Sequence, residues 1–354
     1  MSCSMQRRHM GWNGKKVKGR AEKAADNTAI ILQHAARDGE LDAASTYSDL
    51  MKMVAARKWD RLHKIKVEPE FIFGSHSVEA ALDSKKRDMY ALLVDDRVQR
   101  NWRYLEEEGK RRLGMPVVRC TRDELDQLTK SKEGIDKQRH QGIVLCCSSL
   151  DERLKDPLRG VGRQEGGPPP GQPQWEKEKG TGAPLWVVLD RIQDPHNLGA
   201  VLRSADFFGV DGVVISKKES CKLTPVVSHI SAGAAEHLNV CRAGSMVQFL
   251  QACGENGWQT IATVCREAEE SEGGASETSK KVEMLDTLRE ATPTVLVLGN
   301  EGGGVRQSIQ DVCARHVTIE DVKRGQRVHQ VSLNVSVAAG VALHHFTCAL
   351  NRYL

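Results

Sequence analysis

Three short segments in the C-terminal half carry side chains and glycines in arrangements that could do chemistry. The first is Asp190-Arg191-Ile192-Gln193-Asp194-Pro195-His196-Asn197-Leu198-Gly199-Ala200-Val201-Leu202-Arg203. An apolar run, Leu185 to Leu189, precedes it, and a helical pattern follows. Polar groups gathered where a parallel strand ends and a helix begins are where open α/β sheets bind ligands. Asn197 could instead serve only as a helix cap, and Arg203, six residues on, only as a surface cation. The second segment, Val297 to Val305, ends an apolar strand in a loop holding four glycines and Glu301. Glycine admits positive φ and close approach of backbone to a ligand, so this loop is a candidate ligand contact; a tight strand–helix turn explains the same residues. The order GxGxxG is missing and no Gly-Lys-Ser/Thr follows, which disfavours an NAD-binding oxidoreductase and a P-loop. Glu301 would repel phosphate and suits a hydroxyl, a base edge or a cation. The third segment is Val331 to Gly340, in which Ser332 and Asn334 are candidate caps of a helix rich in small residues.

These segments need a scaffold, and the rest of the chain reads as one. Leu185-Trp186-Val187-Val188-Leu189 is apolar throughout, the pattern of a strand buried on both faces of a parallel sheet. Leu198, Val201, Leu202, Ala205 and Phe208 keep the helical period, and Gly209 stands where a helix C-terminus wants glycine. Gly212 to Ile215 is a further strand, Thr224-Pro225 opens a short helix with proline at its first position, and Ile261 to Val264 and Val295 to Leu298 are strands. The last helix starts near Asn334 and carries Val337, Ala338, Val341, Ala342 and Phe346 as its apolar stripe. Alternating strands and helices predict a doubly wound α/β domain over residues 184–354. Residues 266–280 read as an exposed loop.

Residues 68–150 form a smaller α/β pattern. Phe71-Ile72-Phe73-Gly74 leads into a helix through Val78, Ala81 and Leu82; Tyr90 to Val94 is a strand; a charged helix spans about 97–113. A strand follows from Met115, a short helix over Asp123 to Leu128, and a closing strand over Gly142 to Cys146. No catalytic constellation stands out there, so it is expected to be a recognition module. Between the two lie residues 151–183 with twelve Gly or Pro, read as a linker.

The full chain of 354 residues is 40% hydrophobic and carries a net charge of +4. Residues 1–66 hold 14 Lys/Arg against 7 Asp/Glu, leaving the remainder at −3. Such a basic arm suits an anionic partner, RNA first among them, or a targeting segment. No apolar run approaches the roughly 20 residues of a membrane span, and no N-terminal apolar region suggests export. The ten cysteines show neither a CxxC pair nor zinc spacing, which fits a reducing compartment and no metal site.

In their order and spacing the three segments closely resemble the signature motifs of the SpoU (TrmH-like) RNA 2′-O-ribose methyltransferases of the SPOUT superfamily. Phe73-Gly74 with Val78, Ala81 and Leu82, closing at His140-Gln141-Gly142, resembles that family's N-terminal substrate-binding domain. The resemblance covers roughly residues 70–150 and 184–347. It implies a trefoil-knotted α/β domain, a homodimer, no metal, and S-adenosylmethionine held against backbone at Gly299, Ile319 and Leu333. It places catalytic or substrate-positioning roles on Asn197, Arg203, Glu301, Ser332 and Asn334, with Arg203 the family's proposed base. An arginine of pKa above ~12 is a poor base unless strongly perturbed, so a role in orienting phosphate and polarising the 2′-hydroxyl stands beside it. Within the family the chain is most similar to members acting on a guanosine of mitochondrial large-subunit rRNA and to their bacterial counterparts. That implies structured rRNA as substrate and the mitochondrion as location; tRNA as substrate, or a non-catalytic ribosome-assembly factor that binds RNA, are the alternatives. One departure is local: Ile319 is followed by Glu320, and a basic stretch, Lys323 to Arg327, precedes Ser332.

Overall fold

Alternation along a buried strand sets the architecture of the larger unit. In β5 (Leu185–Leu189), Leu185, Val187 and Leu189 point into one apolar cluster while Trp186 and Val188 point into another, as a period of two requires. The first cluster is covered by α3 (Pro195–Phe207), α4 (Pro225–Ile230), α5 (Ala234–His237) and α8 (Val335–Ala349); the second by α6 (Met246–Glu255) and α7 (Gln307–Gln310). A sheet covered on both faces is the doubly wound arrangement expected. The computed structural model describes residues 69–95, 97, 117–129, 140–158, 183–264, 282–285, 292–300, 302–320 and 332–349.

The sheet adds to β5 the strands β6 (Gly212–Ser216), β7 (Val240–Ala243), β8 (Gln259–Thr263), β9 (Val282–Met284), β10 (Thr294–Leu298) and β11 (Arg315–Thr318). All pairings are parallel, in the order β7-β6-β5-β10-β8-β11-β9. From β5 the chain winds first outward through β6 and β7, then crosses to the other side. The order therefore reverses between β5 and β10. Such a switch point is where this architecture opens a ligand crevice.

The smaller unit is a four-stranded sheet, β1 (Glu70–Phe73), β4 (Ile143–Cys147), β2 (Met89–Asp95) and β3 (Val117–Cys120) in that spatial order, with α1 (Ser75–Ser84) and α2 (Arg122–Leu128). Val78, Ala81 and Leu82 are buried on α1 as the pattern demands. Thr121 and Glu124 form a capping box at α2. The charged helix expected over 97–113, the basic arm, the 266–280 loop and the Lys323–Arg327 stretch fall outside the described residues, apart from Arg97.

Three expectations are corrected. Helix α3 begins at Pro195, and Asp194 caps it by accepting from His196 N at 2.9 Å; Asn197 sits within the first turn. On α8 the buried face is Val335, Ala339, Ala342, Leu343, Phe346 and Thr347, whereas Val337 and Val341 are 51% and 43% exposed. Residues 151–158, placed by composition in the linker, lie against the larger unit: Asp151 pairs with Arg242 at 2.6 Å and accepts from Leu223 N at 2.9 Å. The end of α3 agrees with expectation. Gly209 has φ 65°, Gly209 N donates to Asp206 O and Val210 N to Ala205 O, the paired bonds of a Schellman C-terminus. No helix of the described residues is long and apolar enough to cross a membrane. The expected trefoil would involve the passage from β11 to α8, of which residues 321–331 lie outside the described residues.

Candidate active site

At the switch point the polar groups converge. Asp190, the residue after β5, is fully buried and accepts from Arg306 Nη2 at 2.6 Å, Arg306 Nε at 3.1 Å and Arg306 N at 3.3 Å; Arg191 Nε lies 3.6 Å away. A buried carboxylate is tolerable only when paired and hydrogen-bonded in this way. Two guanidinium groups face this one carboxylate. Arg191 itself has φ 58°, an uncommon conformation for a residue with a side chain. Its N–H donates to Ser216 Oγ at 3.2 Å, and its carbonyl accepts from Asn300 Nδ2 at 2.9 Å.

Asn300 thereby ties the loop after β10 to the loop after β5. Its own backbone closes the turn: Asn300 N donates to Gly304 O at 3.1 Å and Gly304 N to Asn300 O at 2.7 Å, while its Oδ1 accepts from Gly302 N at 3.0 Å. Gly302, Gly303 and Gly304 are exposed, and a side chain at Gly302 would meet only Asn300 Oδ1 at 3.9 Å. Gly302 to Gly304 thus form a ledge without side chains. Gly299 is packed tightly at the start of this loop. A Cβ there would overlap the backbone of Gly304 and Val305, so glycine is required for the loop to fold back on itself.

The third segment joins through Asn334. Its carbonyl accepts from Val337 N and Ala338 N, both at 3.0 Å, and its Oδ1 accepts from Ser336 N at 2.9 Å, so Asn334 caps α8. Its Nδ2 donates to Asn197 Oδ1 at 3.1 Å. Residues 137 positions apart in the chain are thereby held side chain to side chain. Ser332 and Leu333 are exposed, Leu333 at 49%, and Ile319 at the end of β11 is half-buried and packs on the core. All these positions lie at the C-terminal edge of one parallel sheet. Arg203 is exposed on α3, about two turns beyond the helix start, and among the described residues no hydrogen bond joins it to Asn197, Ser332 or Asn334. Glu301 lies outside the described residues. Helix α3 approaches α4 closely because position 199 is glycine: a Cβ there would lie 2.7 Å from Ile230 Cβ.

Sequence reasoning missed the roles of Asp190, Asn300 and Arg306. The signal for Asp190 was a lone carboxylate directly after a fully apolar strand. Its partner Arg306, 116 residues later, had no sequence signal.

A family model described as the SpoU rRNA Methylase family matches residues 184–344, and one described as RNA 2′-O ribose methyltransferase substrate binding matches residues 71–152. The chain is 37% identical over 320 residues to a human protein named rRNA methyltransferase 1, mitochondrial, covering 88% of this chain and 80% of the relative. It is 31% identical over 274 residues to the 23S rRNA (guanosine-2′-O-)-methyltransferase RlmB of Coxiella burnetii, covering 77% and 93%. Among solved structures, an AdoMet-bound rRNA methyltransferase from Sinorhizobium meliloti superposes with a TM-score of 0.58 at 19% identity, over 86% of this chain and 95% of the other, a likeness of fold.

Proposed function

Because the chain belongs to the SpoU rRNA methylase family, we propose that it methylates a ribose 2′-hydroxyl of large-subunit rRNA, at a guanosine, in the mitochondrion. The observation that carries this reading is the convergence of all three motif segments at one switch point, tied by the Asn197–Asn334 and Arg191–Asn300 hydrogen bonds. The location rests on the relatives' names and on the basic arm of residues 1–66, which suits either import or RNA phosphate.

The residues present fit S-adenosylmethionine. The bare ledge of Gly302 to Gly304 offers backbone at close range, Leu333 offers an exposed apolar side chain, and both stand at the strand ends where the crevice opens. Gly299 and Ile319 shape the edge beneath. When bound, the cofactor supplies an electrophilic methyl that the ribose oxygen displaces from sulfur in line. The chain's task is alignment of that oxygen and relief of its proton. Asn334 is committed at both ends of its amide, to the α8 cap and to Asn197, and so positions Asn197 for the ribose. Ser332 stands at the same edge as a hydroxyl candidate for the nucleotide, and by the family resemblance Glu301 is the carboxylate candidate. Arg203 orients phosphate and stabilises the oxygen as it gains negative charge.

The exposed apolar residues Val337 and Val341 lie one turn apart on α8, with Phe207 83% exposed on α3, which packs on α8. A second copy of the chain covering this face supports a homodimer. The passage from β11 to α8 would carry the trefoil crossing.

The test is tritiated methyl transfer with purified protein, comparing mitochondrial large-subunit rRNA with tRNA, and mapping the product to a 2′-O-methylguanosine. Arg203→Ala should lose transfer by roughly two orders of magnitude, the scale for a positioned electrostatic or acid–base group, while cofactor affinity persists. Labelling of tRNA alone overturns the substrate; near-normal turnover in Arg203→Ala removes that residue from the mechanism.

A further inference from the structure

The two structural units meet at a buried ion pair. Arg87, between α1 and β2 of the smaller unit, has a side chain with no exposure, and so has Glu236 on α5 of the larger unit. Arg87 Nε donates to Glu236 Oε2 at 2.9 Å and Nη2 to Oε1 at 2.8 Å, a bidentate fork. Its Nη1 donates to Glu70 Oε2 and to Ser148 O, both at 2.8 Å, and Glu236 Oε1 also accepts from Ser228 Oγ at 2.9 Å. The contacts around the pair are close. Ser77 Oγ donates to Ser228 O at 3.0 Å, and Lys86 Nζ donates to His237 O at 2.9 Å and Leu238 O at 2.6 Å. Gly233 has φ 88°, and a Cβ there would lie 2.8 Å from His76 O.

Such a pair is a poor way to add stability. Removing two charges from water costs several kcal/mol per ion, and apolar residues of equal volume often do as well or better. What a fork supplies is direction: a planar guanidinium on a carboxylate fixes distance and angle together, whereas apolar faces slide. The direction matters here because α4 lies between the seam and the site. Ser228 and His229 of α4 face the smaller unit, with His229 4.7 Å from Phe73 ring to ring, while Val227 and Ile230 take the close approach of Gly199 on α3. Helix α3 carries Asn197 and Arg203.

We propose that Arg87 and Glu236 are positioning residues: they fix the substrate-binding unit in one orientation over α3, so that RNA held by that unit presents its ribose in a single register. The proposal rests on the RNA methyltransferase reading above. The informative variant in the full-length protein is the volume-matched double replacement Arg87→Met/Glu236→Leu, because either single truncation strands a buried charge. We expect it to fold with a modestly lowered melting temperature, because Glu70, Ser148 O and Ser228 Oγ each lose a partner, and to keep its S-adenosylmethionine affinity by calorimetry and its rRNA dissociation constant. Its kcat should fall ten- to hundredfold, the scale for misplacing reactants by about an ångström. Arg87→Lys, which keeps the charge and loses the fork, should show a smaller loss of the same kind, and carries the test should the double variant not fold. Spin labels at Glu79 and Asp206, with accessible cysteines replaced, should give one narrow distance in the parent and a broadened one in the variants. That readout needs no turnover, so it separates failure of the latch from failure of the RNA reading. A folded double variant with wild-type kcat and an unbroadened distance overturns the proposal. So does a loss of kcat accompanied by lost cofactor binding, which assigns the pair to the fold of the larger unit alone.

Discussion

Replacing Gly299 by alanine tests whether that glycine serves the ligand or the loop. The added Cβ would overlap the Gly304 carbonyl and Val305 N, backbone atoms that move only if the turn opens. Opening it breaks the reciprocal pair between Asn300 and Gly304, at 3.1 and 2.7 Å, and disturbs the Asn300 Nδ2 bond to Arg191 O. At about 1 kcal/mol per hydrogen bond the cost is about 2–3 kcal/mol. For a unit of this size each kcal/mol lowers Tm by about 2–4 °C, so Gly299→Ala should melt roughly 4–12 °C below the parent without ligand. Gly302→Ala is the control. Its Cβ meets nothing nearer than 3.9 Å, so Tm should hold within about 0.5 kcal/mol, the range for surface substitutions. That Cβ nevertheless projects from the bare ledge, and cofactor affinity should drop. Differential scanning calorimetry and isothermal titration on both proteins decide the matter. Should Gly299→Ala melt like the parent, or Gly302→Ala bind S-adenosylmethionine unchanged, the division of roles between these glycines is wrong.

Asn334→Ala removes the α8 cap, at about 1 kcal/mol, and frees Asn197 from its partner. Chemical denaturation should register the first effect and single-turnover methyl transfer the second, with rRNA affinity unchanged. Val337→Asp places a charge on the exposed apolar face of α8, and sedimentation should show a dimer-to-monomer shift if a second copy covers it. Burial lowers the pKa of His140 and of His229 below the ordinary 6.5. The unfolded chain therefore binds protons that the folded one refuses. The contribution is fully present above about pH 6.5 and is lost as pH falls toward the folded values, so stability should decline on acidification from pH 7. His229→Gln should flatten that dependence in a pH series of denaturant melts.

Much of the site was legible in the chain because its signals are local. The strand β5 announces itself by five consecutive apolar residues, α3 by the spacing of Leu198, Val201, Leu202 and Ala205, and its end by Gly209. Such patterns follow from the periods of two and 3.6 and from the steric freedom of glycine, all properties of a few neighbouring residues. The resemblance in the three segments belongs to the same class, being fixed by residue type and spacing. Helix α8 marks where local pattern stops. Val335, Val337, Ala339, Val341, Leu343 and Phe346 are apolar on every face, so the period has no phase to read, and only packing against α3 decides that Val337 and Val341 face outward. Asp194 and Asn197 are both sound caps by type, and the start of α3 was settled by Pro195 occupying its first position. The pairings that assemble the site were illegible for a different reason. Asp190 with Arg306, Asn197 with Asn334 and Arg87 with Glu236 are 116, 137 and 149 residues apart. Each exists only because the strand order reverses between β5 and β10, or because one unit docks on another. Strand order and docking arise from burial summed over the whole molecule, a quantity that no window of sequence contains.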